Sequence, residues 1–214
     1  MIETVVYDIG RVLVDWRPEE IYDARIGQER RKALFAACDL HGMIIEIDMG
    51  GHSRDVAYTH AKAHPAWADE IRAWHDNWIE MLAPDIPGSA ALLRALRAKG
   101  MPVVALTNFG WNTLEIAKLK YPVLNEFDDE FVSGRLGVMK PDPAIYEHVE
   151  AGTGLSGKAL LFADDSPANV EAARARGWNA HLFEGPEGWA EVLVRVGLLT
   201  AAEAERALVQ AAAD

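Results

Sequence analysis

Cysteine is nearly absent: Cys38 is the only one among the 214 residues, so the chain cannot form an internal disulfide. This usage is typical of a reducing compartment, and we expect a cytoplasmic location. Long apolar runs are also missing. The first apolar stretch ends at Asp8 and no basic run precedes it, so we expect neither a signal peptide nor a membrane span. The seven histidines lack any spacing that indicates a zinc site.

Positive charge is scarce as well, with 21 Lys and Arg residues against 33 Asp and Glu residues, for a net charge of −12. Nucleic acids and anionic membranes require a basic face, so we expect neither as the main partner. An anionic small molecule is compatible with this balance because a local cationic pocket can exist on an acidic protein. We expect a monomer or a homodimer.

Apolar residues are plentiful, at 50% of the sequence, which is enough for a well-formed core. The length allows one α/β domain with an insertion, or a core with a small lid. Strand-like and helix-like segments alternate, which predicts an α/β fold with a doubly wound parallel sheet and helices on both faces. The predicted strands are 2–7, 102–107, 130–132, 159–163 and 179–183. The predicted core helices are 89–99, 112–120, 143–153, 167–176, 187–196 and 201–212.

The sequence pattern changes at Pro18. From there to about Ala83 it shows helical periodicity with many charged and aromatic residues. Trp74 and Trp78 share one helical face at a spacing of four residues. The segment 84–88 contains two prolines and a glycine and marks a boundary. The predicted division is a core of residues 1–15 and 84–214 with an all-helical insertion of residues 16–83.

Carboxylates follow two of the predicted strands. Asp8 ends the first strand, where it can act as a nucleophile that forms a covalent intermediate, or simply stabilise a turn. Asp164 and Asp165 follow an apolar strand, and such a pair favours Mg²⁺, which takes one or two protein carboxylates and a substrate phosphate. Asp165 can alternatively cap the next helix. Asn169, on the first turn of that helix, is positioned to orient the pair.

Two further segments place polar groups after apolar residues. Thr107 and Asn108 leave the second core strand, where a hydroxyl and main-chain N–H groups can hold phosphate oxygens, although Thr-Asn is also common in turns. Lys140 precedes Pro-Asp-Pro, so its backbone is restricted to an extended form. In the same crevice its charge would neutralise nucleophile and phosphate; elsewhere it would be a solvated surface charge.

In their order along the chain, the four segments resemble the motifs of the haloacid dehalogenase superfamily of hydrolases. They read Asp8-Ile-Gly, Leu-Thr-Asn108, Lys140-Pro-Asp-Pro and Ala-Asp164-Asp-Ser-Pro. The resemblance covers essentially the whole chain and is closest to a small bacterial branch that reads Asp-Ile-Gly-x-Val-Leu at the first motif. It implies a Rossmann-like core and makes the helical insertion, 16–83, a cap domain.

The resemblance also implies roles for individual residues. It makes Asp8 the nucleophile and has Lys140 pair with the nucleophile and the phosphate, so that these two are the catalytic residues. It has Thr107 and Asn108 bind the phosphoryl oxygens. The cofactor it implies is Mg²⁺, and the implied ligands are Asp8, the main-chain carbonyl of Gly10, Asp164 and Asp165.

Two positions depart from the pattern of the family. Gly10 stands where most of its phosphatases have a second aspartate that serves as general acid and base. Such catalysis is typically worth ~10²–10⁴ in rate. We therefore expect slow turnover, a good leaving group such as an anomeric sugar phosphate, or a surrogate from the cap or from metal-bound water. Arg11 either binds a substrate carboxylate or phosphate, or points to solvent.

We predict a magnesium-dependent phosphatase that acts on a small phosphorylated metabolite of the sugar phosphate type through an aspartyl-phosphate on Asp8. A metal-independent 2-haloacid dehalogenase is the first alternative, because those enzymes also lack the second aspartate. Their fourth motif, however, resembles a Ser-Ser-Asn pattern, where this chain has Asp164-Asp165. A non-catalytic binder of a phosphorylated ligand or a protein is the second. Eight residues are candidates to line the cap, although packing or a surface position is favoured for each: Trp16, Tyr22, Arg25, His52, His60, Trp74, His75 and Trp78.

Overall fold

The computed structural model describes residues 1–212, so positions 213 and 214 of the predicted core lie outside it. The strands are β1 (Thr4–Tyr7), β2 (Val14–Trp16), β3 (Leu82–Asp85), β4 (Val103–Thr107), β5 (Asp129–Val132), β6 (Leu160–Asp164) and β7 (Asn179–Leu182). The first helices are α1 (Pro18–Ile26), α2 (Gln28–Ala37), α3 (Leu40–Asp48), α4 (Ser53–Ala63), α5 (Ala68–Asp76) and α6 (Trp78–Met81). The later ones are α7 (Pro87–Ala98), α8 (Trp111–Lys120), α9 (Ser133–Leu136), α10 (Pro143–Thr153), α11 (Pro167–Ala175), α12 (Pro186–Arg195) and α13 (Ala201–Ala211).

Five strands form a parallel sheet in the order β5-β4-β1-β6-β7, which confirms the predicted α/β fold. All five predicted strands and all six predicted core helices are present, with ends shifted by at most two residues. Successive side chains of a strand point to opposite faces. Accordingly Val5 and Tyr7 join one apolar core, with Trp189 of α12, whereas Val6 joins a second core with Tyr146 of α10. The sheet is therefore covered on both faces.

The carboxyl ends of the central strands bring three predicted residues to one edge of the sheet. Strand β1 lies between β4 and β6 and pairs with both in parallel, Val5 facing Val103 on one side and Leu161 on the other. Asp8 follows β1, Thr107 ends β4 and Asp164 ends β6. Because parallel strands end on the same side, this edge is where a ligand site is expected.

The segment between the first and second core strands contains a small sheet that the sequence did not predict. Strands β2 and β3 pair antiparallel, Trp16 facing Leu82, so the ends of the predicted all-helical stretch are extended rather than helical. Between them lie helices α1–α6, which we call the helical segment (Pro18–Met81). Its assignment as a separate cap remains a prediction. None of the helices within residues 1–212 is long and apolar enough to cross a membrane.

Replacement of glycine by alanine at two helical positions is expected to have opposite effects on stability. In α9, a β-carbon on Gly134 would lie 2.7 Å from the Phe109 carbonyl oxygen and 2.7 Å from the Trp111 nitrogen, both of them backbone atoms that cannot swing away. Gly134→Ala should therefore lower the free energy of unfolding by about 1–3 kcal/mol. Gly188, in α12, would meet only His181 at 4.0 Å. Gly188→Ala should raise that free energy by about 0.5–1 kcal/mol, because glycine is a poor helix former. Urea unfolding of both variants measures the difference, and equal effects would contradict the close approach at Gly134.

Candidate active site

A buried lysine joins two of the strand ends. The Nζ atom of Lys140 lies 2.9 Å from Oδ1 of Asp8 and 2.7 Å from Oδ2 of Asp164. It also donates a hydrogen bond of 2.9 Å to the carbonyl oxygen of Leu106 in β4. An ammonium group has three donors, and here each has an acceptor. The structure thus brings the two predicted catalytic residues, Asp8 and Lys140, into direct contact.

The charge state of this pair follows from burial and proximity. Burial raises the pKa of Asp8, the ammonium of Lys140 opposes that rise, and the neighbouring carboxylate of Asp164 adds to it. Burial alone would lower the pKa of Lys140, but the two carboxylates outweigh it and the net shift is upward. Lys140 is therefore held in its charged form between two acidic groups. The backbone N–H of Ile9 donates a 2.7 Å hydrogen bond to Asp8 and fixes the orientation of its carboxylate.

Asp164 is oriented by the start of α11. The backbone N–H of Ser166 donates to its Oδ1 at 2.8 Å, and the Asn169 side-chain amide donates to both carboxylate oxygens at 2.9 and 3.1 Å. Asn169 is itself held by the hydroxyl of Tyr146, which donates to its carbonyl oxygen. The geometry places Asn169 against Asp164, as the sequence predicted for an orienting residue.

Three carboxylates converge in a way that suits a divalent cation. Asp8, Asp164 and Asp165 each offer one oxygen, and these oxygens lie within 4.8 Å of one another. Burial raises the pKa of Asp165, Asp164 adds to the rise, and Arg11 opposes it. A compact set of hard oxygen donors with this much negative charge fits Mg²⁺. Gly10, the fourth predicted ligand, lines a cavity that Asp8 and Asp165 also line.

The predicted phosphate-binding residues have different environments. Thr107 is buried at the end of β4 and is not among the residues that line the cavity. Asn108 lines the cavity, but its side chain holds the main chain of Lys140, accepting from the Lys140 N–H at 2.7 Å and donating to its carbonyl at 2.9 Å. Arg11 adopts a left-handed backbone conformation (φ 56°) and its guanidinium lies 3.7 Å from Asp165 at the cavity mouth. Its side chain is 59% exposed, so it points partly to solvent and partly to the acidic cluster.

These residues open into a cavity of about 530 Å³ between the strand ends and the helical segment. Of the eight candidates for its lining, Trp16, Trp74 and Trp78 line it. The five that do not are Tyr22, Arg25, His52, His60 and His75. Trp16 packs against both Trp74 and Trp78, at ring-centroid distances of 5.7 and 6.1 Å. One side of the cavity is therefore an indole wall.

Several lining residues were not predicted. Ile44, Ile47 and Phe109 extend the apolar wall, and Asp48, at the end of α3, is an ionisable group within it. Helical periodicity alone would have identified Ile44 and Ile47 only as packing residues. A carboxylate before a Gly-Gly pair is ordinary turn chemistry, so the sequence around Asp48 carries no signal of a site.

Comparison with known proteins identifies a family of hydrolases. A family model described as haloacid dehalogenase-like hydrolase matches residues 5–177. A sesquiterpene phosphatase, astK, from Aspergillus oryzae is 29% identical over 182 residues, which cover 82% of this chain and 86% of that protein.

Solved structures agree in fold. A HAD family enzyme from Bacteroides thetaiotaomicron, in complex with magnesium and inorganic phosphate, superimposes with a TM-score of 0.70 at 19% identity, covering 90% of this chain and 99% of that one. An L-2-haloacid dehalogenase from Xanthobacter autotrophicus, with chloropropionic acid covalently bound, superimposes with a TM-score of 0.59 at 20% identity, covering 96% and 88%. At these identities the two structures establish the shared fold.

Proposed function

The chain belongs to the haloacid dehalogenase-like hydrolases, and from that premise we propose that it is a magnesium-dependent phosphatase of a small phosphorylated metabolite. The observation that carries the proposal is the convergence of Asp8, Asp164 and Asp165, joined to the buried ammonium of Lys140. Three clustered carboxylates, two of which line the cavity, disfavour binding of an anionic phosphate unless a cation is present. The Bacteroides relative in the fold comparison was solved with magnesium and phosphate together, which supports the same assignment.

In this proposal Asp8 is the nucleophile. One oxygen of its carboxylate forms a bond to phosphorus while the bond from phosphorus to the ester oxygen breaks, which leaves an aspartyl-phosphate. Water then cleaves that intermediate and releases inorganic phosphate. Lys140 favours the ionised form of Asp8 and holds it in position, and Asn169 orients Asp164. Asp8, Asp164 and Asp165, with the Gly10 carbonyl, would hold Mg²⁺, which when bound neutralises phosphoryl oxygen charge.

The substrate's organic part would pack against the indole wall formed by Trp16, Trp74 and Trp78. Indole faces accept both the C–H face of a sugar ring and a hydrocarbon chain. The predicted sugar phosphate therefore stays a candidate, and the sesquiterpene phosphatase from Aspergillus adds a prenyl phosphate as a second one. Arg11, at the cavity mouth, would contact a further anionic group of the substrate.

A 2-haloacid dehalogenase is the second candidate function. Gly10 favours it, because that chemistry needs no acid for a halide leaving group, and the apolar wall suits a haloalkyl chain. The Asp164-Asp165 pair weighs against it. Carboxylates that attract a metal serve no purpose in a displacement at carbon that uses Asp8 alone, and they would repel a haloacid carboxylate.

Removal of metal tests the two candidates together. The purified protein would be assayed with a panel of sugar phosphates and prenyl phosphates in Mg²⁺ and in EDTA, and with 2-haloacids for halide release. We expect phosphate release in Mg²⁺ that falls by on the order of 10²-fold or more in EDTA, because the phosphoryl charge then faces the carboxylates without a cation. Addition of Mg²⁺ in excess of EDTA should restore it.

Halide release that EDTA does not change would assign the protein as a dehalogenase and reject the phosphatase proposal. Failure to hydrolyse any ester of the panel, combined with saturable binding of one of them, would instead favour the non-catalytic binder. Isothermal titration with the same esters distinguishes that case.

A further inference from the structure

Proton transfer is the step for which the proposed mechanism has no group. Gly10 has no side chain to donate or accept a proton, yet a β-carbon there would meet no atom within 4 Å. Packing therefore does not exclude a larger residue at this position. An alkoxide leaving group needs a proton, and general acid catalysis is typically worth ~10²–10⁴ in rate.

We propose that Asp48 supplies the general acid and base that Gly10 cannot, so that the helical segment contributes a catalytic residue to the cavity. The inference rests on the proposed phosphatase function. Asp48 is the last residue of α3 and lines the same cavity as Asp8 and Lys140. Its carboxyl group faces the backbone N–H of Gly110, in the loop that follows β4. The loop packs closely on this end of α3, since a β-carbon on Gly110 would lie 2.6 Å from the side chain of Ile47. This contact fixes it against the part of the core that carries Asn108.

The surroundings of Asp48 suit a group that gains and loses a proton. The side chain is half-buried among Ile44, Ile47 and Phe109, and within residues 1–212 no lysine, arginine or histidine lies within ion-pair distance of it. Burial raises the pKa of Asp48 to about 7, opposed only in part by the Gly110 N–H. A carboxyl group that titrates near neutrality can act both as acid and as base.

The other ionisable groups of the cavity are less suited. Asp8 and Lys140 are paired with each other, and Asp165 faces Arg11 within the acidic cluster. His41 also lines the cavity, near the start of α3, but its side chain is exposed to solvent, whereas Asp48 is half-buried. The remaining carboxyl group of the cavity wall is Asp48.

Asp48 donates a proton when the aspartyl-phosphate forms and recovers one when it is hydrolysed. As Asp8 bonds to phosphorus, the ester oxygen leaves with the proton of the Asp48 carboxyl group, giving an alcohol and the Asp48 carboxylate. That carboxylate then takes a proton from water while the water oxygen bonds to phosphorus and the bond to Asp8 breaks. Inorganic phosphate leaves, and Asp8 and protonated Asp48 are regenerated.

Leaving-group dependence tests the assignment in the Asp48→Asn variant, which keeps a side-chain oxygen toward the Gly110 N–H. For an alkyl phosphate, whose leaving group needs a proton, kcat/KM should fall by on the order of 10²-fold or more, whereas for p-nitrophenyl phosphate it should change by less than about fivefold. Loss of the base should also slow the second step. Pre-steady-state assays with p-nitrophenyl phosphate should then show a stoichiometric burst of nitrophenolate that the native protein lacks.

The control is Glu46→Gln, which removes one carboxylate from the exposed side of the same helix and should leave both esters unaffected. Equal losses of kcat/KM for the two esters in Asp48→Asn without a burst would show a structural role and overturn the inference, as would unchanged kinetics. Native protein that shows no Asp8-dependent phosphate release would overturn the proposed function as well. Active native protein with an insensitive Asp48→Asn overturns only the role of Asp48.

Discussion

Asp8→Asn is expected to reduce phosphate release by on the order of 10⁴-fold or more, because an amide cannot form the aspartyl-phosphate. The fold should survive the change. Lys140 keeps its contacts with Asp164 at 2.7 Å and with the Leu106 carbonyl at 2.9 Å. Burial opposes the charged form of Asp8. The variant therefore loses the ion pair with Lys140, but it also avoids the cost of burying a charged carboxylate, and the two effects offset each other. We expect the free energy of unfolding to change by no more than about 1 kcal/mol.

Mass spectrometry of acid-quenched protein makes the prediction specific to the nucleophile. A peptide that contains Asp8 should carry one phosphoryl group in the native protein during turnover and none in Asp8→Asn. The matched control is Asp55→Asn, an exposed carboxylate on α4 that should leave turnover unchanged. Phosphate release by Asp8→Asn at the native rate would remove Asp8 from the mechanism and with it the covalent intermediate.

Much of the fold could be predicted because parallel strands buried on both faces appear as unbroken apolar runs. Val5-Val6-Tyr7 is such a run, and its side chains enter two different cores. Strands β2 and β3 could not be predicted in the same way. They are short, and each is stabilised by a partner at the far end of the helical segment, so local sequence contains no sign of the pairing. The four-residue helix α9 is equally short and depends on its contact with the loop at Phe109.

The same distinction between local and long-range contacts decides which parts of the candidate site could be predicted. Residues at strand ends could be predicted, since Asp8 and Asp164 are positioned by backbone that the apolar pattern already indicates. Contacts between loops could not. The two hydrogen bonds between the Asn108 side chain and the main chain of Lys140 join segments 32 residues apart. Asp48 enters the cavity only because the end of α3 packs against the Gly110 loop, which depends on how the helical segment folds back on the core.

Lys140→Met carries the largest expected effect on stability, a loss of about 3–5 kcal/mol in the free energy of unfolding in EDTA. Methionine fills much of the space of the lysine stem but leaves Asp8 and Asp164 buried without the ammonium that now contacts both. The pKa of Asp8, already raised by burial, should rise further once Lys140 no longer opposes that shift. A carboxyl group with a raised folded-state pKa contributes stability below its unfolded pKa and loses it as pH rises through the folded value. The deficit of Lys140→Met should therefore be larger at about pH 8 than at about pH 5.

Urea unfolding at the two pH values measures this deficit, and Lys118→Met is the matched control. Lys118 also faces two carboxylates, with its Nζ 2.6 Å from Glu130 and 3.9 Å from Glu115, but it lies on α8, outside the cavity. Its side chain keeps 15% exposure, whereas that of Lys140 keeps 1%, so water can solvate the carboxylates that its loss would leave behind. We expect Lys118→Met to cost about 1 kcal/mol or less, with little dependence on pH. Equal costs for the two lysines would contradict the buried ion-pair account. A distinctly larger cost for Lys140 at the higher pH would show that its charge compensates the buried carboxylates, which is the condition for Asp8, the proposed nucleophile, to be ionised.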